Sequence, residues 1–229
     1  MRNLCASAVF LMLVWSPVAA SPGVVPSGIL GGGVQLGSSD HPDGGGLAAG
    51  LHARADLQMW WLMLGGTAGV DGYPRTSAGV PIEATSVAAH LGVAGPIYQH
   101  RTRTRLHEIA VLAAVEIGRH HYSPHGGDGS GFDVLAATVS YDGPGHSVTF
   151  IGERAGLSYA SIGFRADRPG VVFALEVVRR SDRHTVDLDY TRSSCGGLLT
   201  SGCTSSSGMA TAGGRELAVV ASVGLVIGR

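Results

Sequence analysis

The sequence predicts an all-β, antiparallel chain closed into a transmembrane β-barrel of about ten strands, within a range of roughly eight to twelve. Three observations carry this expectation. Apolar and polar residues alternate along many segments: Leu47, Ala49, Leu51, Ala53, Leu57 and Met59 face one way, and His52, Arg54, Asp56 and Gln58 the other. That period belongs to strands with two unlike faces. The connections between such segments alternate between short and long, as they do in membrane barrels. No segment beyond the N-terminal leader reaches the ~20 apolar residues of a membrane helix, yet mean hydropathy over the chain is +0.23, so the apolarity is spread over strands.

The leader comes first. Met1 to Ala20 carries Arg2, an apolar run from Cys5 to Trp15, Pro17, and the small residues Val18, Ala19 and Ala20. This is the anatomy of a secretory signal peptide cleaved after Ala20. Residues 21–229 then form one domain, with no linker that would divide them.

Strands are expected at 28–37, 46–55, 57–70, 84–95, 104–123, 132–142, 147–165, 170–180, 184–193 and 215–228, each bounded by turn-forming residues. The last alternates clearly, with Leu217, Val219, Ala221, Val223, Leu225 and Ile227 on one face. Strand 104–123 sets Ile109, Val111, Ala113, Val115 and Ile117 against Glu108, Glu116 and His120. Short connections around Asp56 and at 95–103, 143–146 and 181–183 are assigned to the inner side of the membrane. The long, Gly-rich "GSSDHPDGG", "DGYPRTSAGVPIE", "SPHGGDGSG" and "RSSCGGLLTSGCTSSSGMATAGG" go to the outer side, and only the short "ADRP" breaks the pattern. Cys195 and Cys203 are spaced for a small disulfide loop in an exported protein.

Charge excludes one class of partner. The net charge of -1 provides no field for a phosphate backbone, so nucleic acid is set aside. Glu108, Glu116, Glu176, Arg180, Asp187 and Asp189 read as a charge network inside the barrel. It either lines a narrow pore or plugs the lumen, and the plug is favoured because small barrels are usually filled by their own side chains. Trp60, Trp61, Tyr122, Tyr141 and Tyr159 are candidates for an aromatic girdle at the membrane interface or for ordinary strand packing. Arg101, Arg103 and Arg105 solvate an inner edge or meet lipid phosphates.

Over the whole mature chain, the alternation and the connection lengths resemble those of small bacterial outer-membrane β-barrel proteins. The resemblance implies an outer-membrane location, contact with outer-membrane lipids and with the outer-membrane assembly machinery, and a monomer or weak homodimer. Function then lies in a structural or binding role through the outer loops.

A sharper alternative comes from "VEIGRHHYSPHGGDGSGFDVL", residues 115–135. The parity of strand 104–123 carries His121 and Ser123 onto the lipid-facing side, and the parity of the next expected strand puts Asp133 there too. Ser123 Oγ as nucleophile, His121 as base and Asp133 as orienting acid have the residue types of a hydrolase triad. The stretch is similar to the active-site strand pair of outer-membrane phospholipase A, in which a Val-Glu-apolar-Gly lead-in precedes His-x-Ser. That resemblance implies lipid acyl-ester hydrolysis and a calcium ion near the serine, with Asp128 and Ser130 as its candidate ligands. The chain departs from the family at Pro124-His125, where Asn-Gly would follow the serine, and Pro124 has no N–H to serve as an oxyanion donor. His120, His121 and His125 are close enough for a metal site, but alternation sends His120 and His121 to opposite faces. A third reading is a soluble, secreted β-sandwich, whose strands alternate in the same way.

Overall fold

The computed structural model describes residues 27–40, 46–73, 80–127, 138–163, 170–195 and 202–227. The expected signal peptide, residues 1–20, lies outside them. Eleven strands are formed: β1 (Ser27–Asp40), β2 (Gly46–Met59), β3 (Leu62–Tyr73), β4 (Ile82–Arg101), β5 (Arg105–Gly127), β6 (Thr138–Asp142), β7 (His146–Gly163), β8 (Gly170–Asp182), β9 (Val186–Cys195), β10 (Cys203–Ala212) and β11 (Arg215–Ile227). Eight of them, β1 to β5, β7, β8 and β11, pair antiparallel around a closed wall, with β5 on β7 and β1 on β11 completing the ring. Eight is the lower end of the expected range and close to the ten strands assigned.

Register sets the shape of the wall. Stepping from partner to partner, Ile29 leads to Asp56, Gly65, His90, Glu116, Gly152, Arg180, Glu216 and then Ser39. The circuit returns to β1 ten residues further on, which is a shear of ten. Strands of such a barrel tilt by about 40° from its axis. The interior is therefore no wider than the side chains that fill it.

Alternation around this wall follows the sequence. Exposed, outward residues include Leu30, Val34, Leu51, Leu64, Leu91, Val115, Leu157, Leu175 and Leu225, on every strand of the wall. Their inward neighbours Arg54, Glu116, Arg154, Glu176 and Glu216 are buried. A soluble sandwich would bury the first set and wet the second, so closure and polarity together exclude that reading. An apolar outward face is what membrane barrels present to lipid, in a band about 25 Å tall.

Three differences from the expected elements have physical causes. Residues 46–70 hold two strands as expected, but the turn is at Trp60-Trp61 and not at Asp56. Met59 pairs with Leu62, and Trp60 takes a positive φ of 56°. A two-residue hairpin usually advertises itself with Asn-Gly or Asp-Gly, and two tryptophans at a membrane interface carry no such signal. Expected strands 132–142 and 184–193 do not cross the membrane. Their described parts, β6 and β9, join β10 in a three-stranded sheet beyond the outer rim, where β6 is tied to the last residues of β5, His125 to Gly127. The connections at 143–146 and 181–183 are consequently at the outer end. The exception "ADRP", residues 166–169, lies outside the described residues.

The residues following Cys195, read as an outer loop, return as β10 in a hairpin on β9. Cys203 pairs with Cys195 in the register, and the two form the expected disulfide. Because this bond belongs to the outer sheet alone, replacing both cysteines by serine is expected to leave the barrel intact. Unheated protein will keep its fast, compact migration in detergent gels, while limited proteolysis will nick the 186–212 hairpin sooner than in the parent.

Candidate functional site

The lumen is filled in layers. At the inner end Ala160, Ile162, Val172 and Val226 pack with Ile29 and Leu106. Above them is the charged layer. Arg54 pairs with Asp56 through Nε and with Glu176 through Nη1. Asp56 in turn hydrogen-bonds His90 Nε2 at 2.7 Å. Arg154 lies 3.2 Å from Glu176 and 3.8 Å from Glu116. Arg180 donates to Glu116 at 2.7 Å and reaches Glu216 at 3.4 Å, and Gln35 donates to Glu216 at 2.6 Å. All these groups are buried, so each charge depends on its partners for the solvation that water would have supplied.

Glycines make the pairs feasible. Gly65 stands between Asp56 and His90 in the register, and a Cβ there would come within 2.1 Å of Asp56 Oδ1 and 2.7 Å of His90 Nε2. The missing side chain is the gap through which the two residues reach each other. Gly152 sits in the same way between Glu116 and Arg180 on the adjacent strands, with its Cβ position 2.8 Å from Glu116 Oε1.

A third layer closes the outer end. His120 stacks on Phe150 at 4.2 Å between centroids, and the Arg180 guanidinium lies over the same phenyl ring, 5.4 Å from its centroid. Above it Ala48, Tyr73, Ile82, Ala84, Tyr122 and Val148 from the wall pack against Leu188 and Ala212 of the β9–β10 hairpin. Asp182 fastens this roof. It accepts hydrogen bonds from Tyr122 Oη at 2.8 Å and the Gly214 amide at 3.0 Å, and pairs with His120 Nδ1 at 2.8 Å. Beside Arg54 and Asp56 there is a cavity of about 40 Å³, room for a few water molecules.

Of the residues expected in the lumen, Glu116, Glu176 and Arg180 are in the network, and Glu108 is buried and accepts from Gln99 at 2.7 Å. Asp187 and Asp189 are not. They are exposed on β9, outside the membrane, because the strand that carries them belongs to the outer sheet. Arg54, Asp56, His90, Arg154 and Glu216 complete the network and were not assigned to it from sequence, although His52, Arg54 and Asp56 were read as one polar face. Trp60, Trp61 and Tyr159 are exposed around the inner end, joined there by Tyr98. Tyr122 is not part of that girdle, since its parity turns it into the lumen, and Tyr141 lies in the outer sheet against Tyr190 at 5.9 Å.

His121 and Ser123 are where parity put them, on the outward face of β5 at its outer end. His121 Nδ1 hydrogen-bonds Ser147 Oγ on β7 at 3.1 Å, and Ser123 is the register partner of Glu83 on β4. Ser147 was missed by sequence reasoning. Only cross-strand register brings it to His121, and no local motif contains both. Asp133, Asp128 and Ser130 lie outside the described residues. His120 and His121 point to opposite sides of the wall, and among the described residues no group of three metal-ligating side chains gathers.

A closed antiparallel wall, an apolar outside and a self-filled inside define a transmembrane β-barrel. Among solved structures it resembles that of Neisserial surface protein A, with a TM-score of 0.51 and 10% identity over 86% of this chain and 95% of that one. It is also similar to a major outer membrane protein from Thermus thermophilus (TM-score 0.34, 11% identity, 87% of this chain and 99% of that one). A further likeness is to the translocator domain of the autotransporter NalP from Neisseria meningitidis (TM-score 0.28, 10% identity, 96% and 95%). At such identities the likeness is one of fold. No family model and no curated protein matches the chain.

The gap at Gly65 generates a prediction. Gly65→Val is expected to break the Asp56–His90 bond and to destabilise the barrel by about 2–4 kcal/mol, the cost of stranding a buried charged partner. Ala68→Val, on the outward face of the same strand, will cost less than about 1 kcal/mol. Urea unfolding in vesicles, followed by tryptophan fluorescence, compares the two.

Proposed function

We propose that this protein is a sealed outer-membrane barrel that acts through its outer face, in a structural or binding role, and conducts nothing. The sealing of the lumen carries the reading. Ion pairs fill its middle and apolar layers close both ends, one of them roofed by the β9–β10 hairpin. What remains available to partners is the outer sheet, about which the hairpin and β6 are built, and the lipid-facing wall. Outer-membrane lipids and the assembly machinery are its expected contacts, and the wall suits a monomer or a weak homodimer.

A second reading rests on a specific observation. His121, at the outer end of the lipid-facing wall, is hydrogen-bonded to a serine, and Ser123 shares its face two residues on. In this reading, the protein is a lipid acyl-ester hydrolase resembling outer-membrane phospholipase A. Ser123 Oγ attacks the acyl carbonyl while His121 takes its proton, and the proton passes to the departing alcohol oxygen. Water then releases the fatty acid from Ser123, and Asp133 holds the imidazole. Calcium, implied by the resemblance, would be held by Asp128 and Ser130.

One preparation separates the readings. The mature protein, refolded in detergent and reconstituted, is expected to give no conductance steps in planar bilayers; stable steps would sink the sealed-barrel reading. Acyl release from mixed lipid micelles, with calcium present, is expected to match that of Ser123→Ala at background level. Release that disappears in Ser123→Ala would establish the hydrolase instead.

A further inference from the structure

The outward face of the wall is apolar almost everywhere, and its departures crowd onto one side. Toward the outer end of β1 to β4, the outward residues include Leu36, Leu47, Val70 and Val87, and the charged member among the described side chains is an acid, Glu83. On β5, β7, β8 and β11 the corresponding region presents Arg119, Glu153, Arg179 and Arg215, all exposed. Every outward cation near the outer end of the described wall is thus on the same half of the barrel.

Their levels follow from the shear. In a barrel of this geometry, a residue rises by about 2.5 Å per position along a strand and about 3 Å per strand around the wall. Glu153 and Arg179 are register partners, as are Arg119 and Thr149. Relative to Glu153, Arg179 stands about 3 Å higher, Arg119 about 7 Å and Arg215 about 11 Å. The uppermost large apolar residues of this sector, Ile151 and Leu217, come about 5–6 Å above Glu153. Arg119 is therefore at the boundary between apolar wall and headgroups, and Arg179 is just below it with a stem long enough to reach up. Glu153 lies beneath both. Their strands β5 and β8 are separated only by β7, about 10 Å across, and their partners Thr149 and Glu153 are four residues apart along it, so the two backbones stand about 16 Å apart, a gap that two extended arginine side chains close on a phosphate between them.

We propose that this side of the wall binds the phosphate group of an outer-leaflet lipid between Arg119 and Arg179, with the lipid's acyl chains on Ile117, Ile151, Val177 and Leu217. Two guanidinium forks match phosphate oxygens, and the outward hydroxyls of Thr149 and Ser181 stand above them, about 10 and 8 Å higher than Glu153. The apolar floor directly below commits the site to a lipid and away from a free phosphate ion, which has no use for it. The inference rests on the reading of the apolar wall as lipid-covered.

The test uses the full mature protein inserted into phosphatidylcholine vesicles that hold a minor fraction of phosphatidic acid. Insertion is confirmed first by the fast gel migration of the unheated barrel; if the parent protein does not insert, the barrel reading itself falls and this inference with it. The protein is then extracted in mild detergent and the retained lipids are quantified. The parent is expected to enrich phosphatidic acid over phosphatidylcholine, and Arg119→Gln/Arg179→Gln to lose about tenfold of that enrichment. Arg101→Gln/Arg103→Gln, at the inner end, should retain it. Equal enrichment in parent and the first double variant overturns the proposal, as does equal loss in both pairs, which would mean bulk charge. Displacement of the lipid by millimolar inorganic phosphate would overturn it too, by showing a free-ion site. Should the first pair fail to insert, Arg119→Gln alone is measured in its place, and unchanged enrichment there is equally fatal.

Discussion

Filling the lumen of an eight-strand barrel of shear ten is the constraint on which the rest of this structure depends. The inward half of every wall strand must be accommodated in a space only a few side chains across, while the outward half is committed to lipid. Arg54, Arg154 and Arg180 meet Asp56, Glu116, Glu176 and Glu216 in that space. Each carboxylate and guanidinium would be costly there alone. Linked through shared partners, they form a set in which removing one member strands its neighbours. The apolar layers above and below keep bulk water from competing for the same hydrogen bonds.

Space for these pairs is supplied by the backbone. Facing inward positions on adjacent strands are too close for three full side chains in a row, so the middle strand gives way with glycine, as at Gly65 and Gly152. Glycine weakens an isolated strand by increasing the entropy that folding must remove. In a closed wall that loss is offset, because no strand has a free edge and each residue's backbone is paired on one or both sides through most of its length. The abundance of glycine and the buried charge are two aspects of a single packing solution.

How much of this could be read from sequence follows from the range of each interaction. Period-two alternation is local, so the lipid-facing set on β2, β5 and β11, the inward Glu116 and His120, and the outward His121 and Ser123 were all legible. Connection length was legible but ambiguous. A short link joins strands of an outer hairpin as well as it joins strands of the wall, and β6 and β9 alternate like spanning strands because their own sheet also has two unlike faces. The tight turn at Trp60-Trp61 lacks the glycine or asparagine that betrays most of its kind. Partnership was not legible at all. That Asp56 meets His90 across Gly65, or His121 meets Ser147, depends on register between strands distant in the chain, and single-sequence patterns contain no term for it.

The placement of the outer sheet gives the molecule a front and a back. β6 pairs with the end of β5, and the β9–β10 hairpin comes between β8 and β11 in the chain, so the sheet is tied to the half of the wall that carries Arg119 and Arg179, although its buried side roofs the lumen as far as β2 to β4. Asp182 binds this half together, holding wall and hairpin through Tyr122, His120 and the Gly214 amide. On its outward face the opposite half, β1 to β4, is nearly uniform apolar wall among the described residues. A membrane protein that merely needed to be soluble in lipid would gain nothing from such asymmetry, and lipid-facing charge carries a cost that rises with depth. Concentrating Arg119, Arg179, His121, Ser123 and Ser147 beneath the only described sheet outside the membrane makes physical sense if headgroups and outer-surface partners are engaged together on that side, with the disulfide-closed hairpin as the rigid part of the contact.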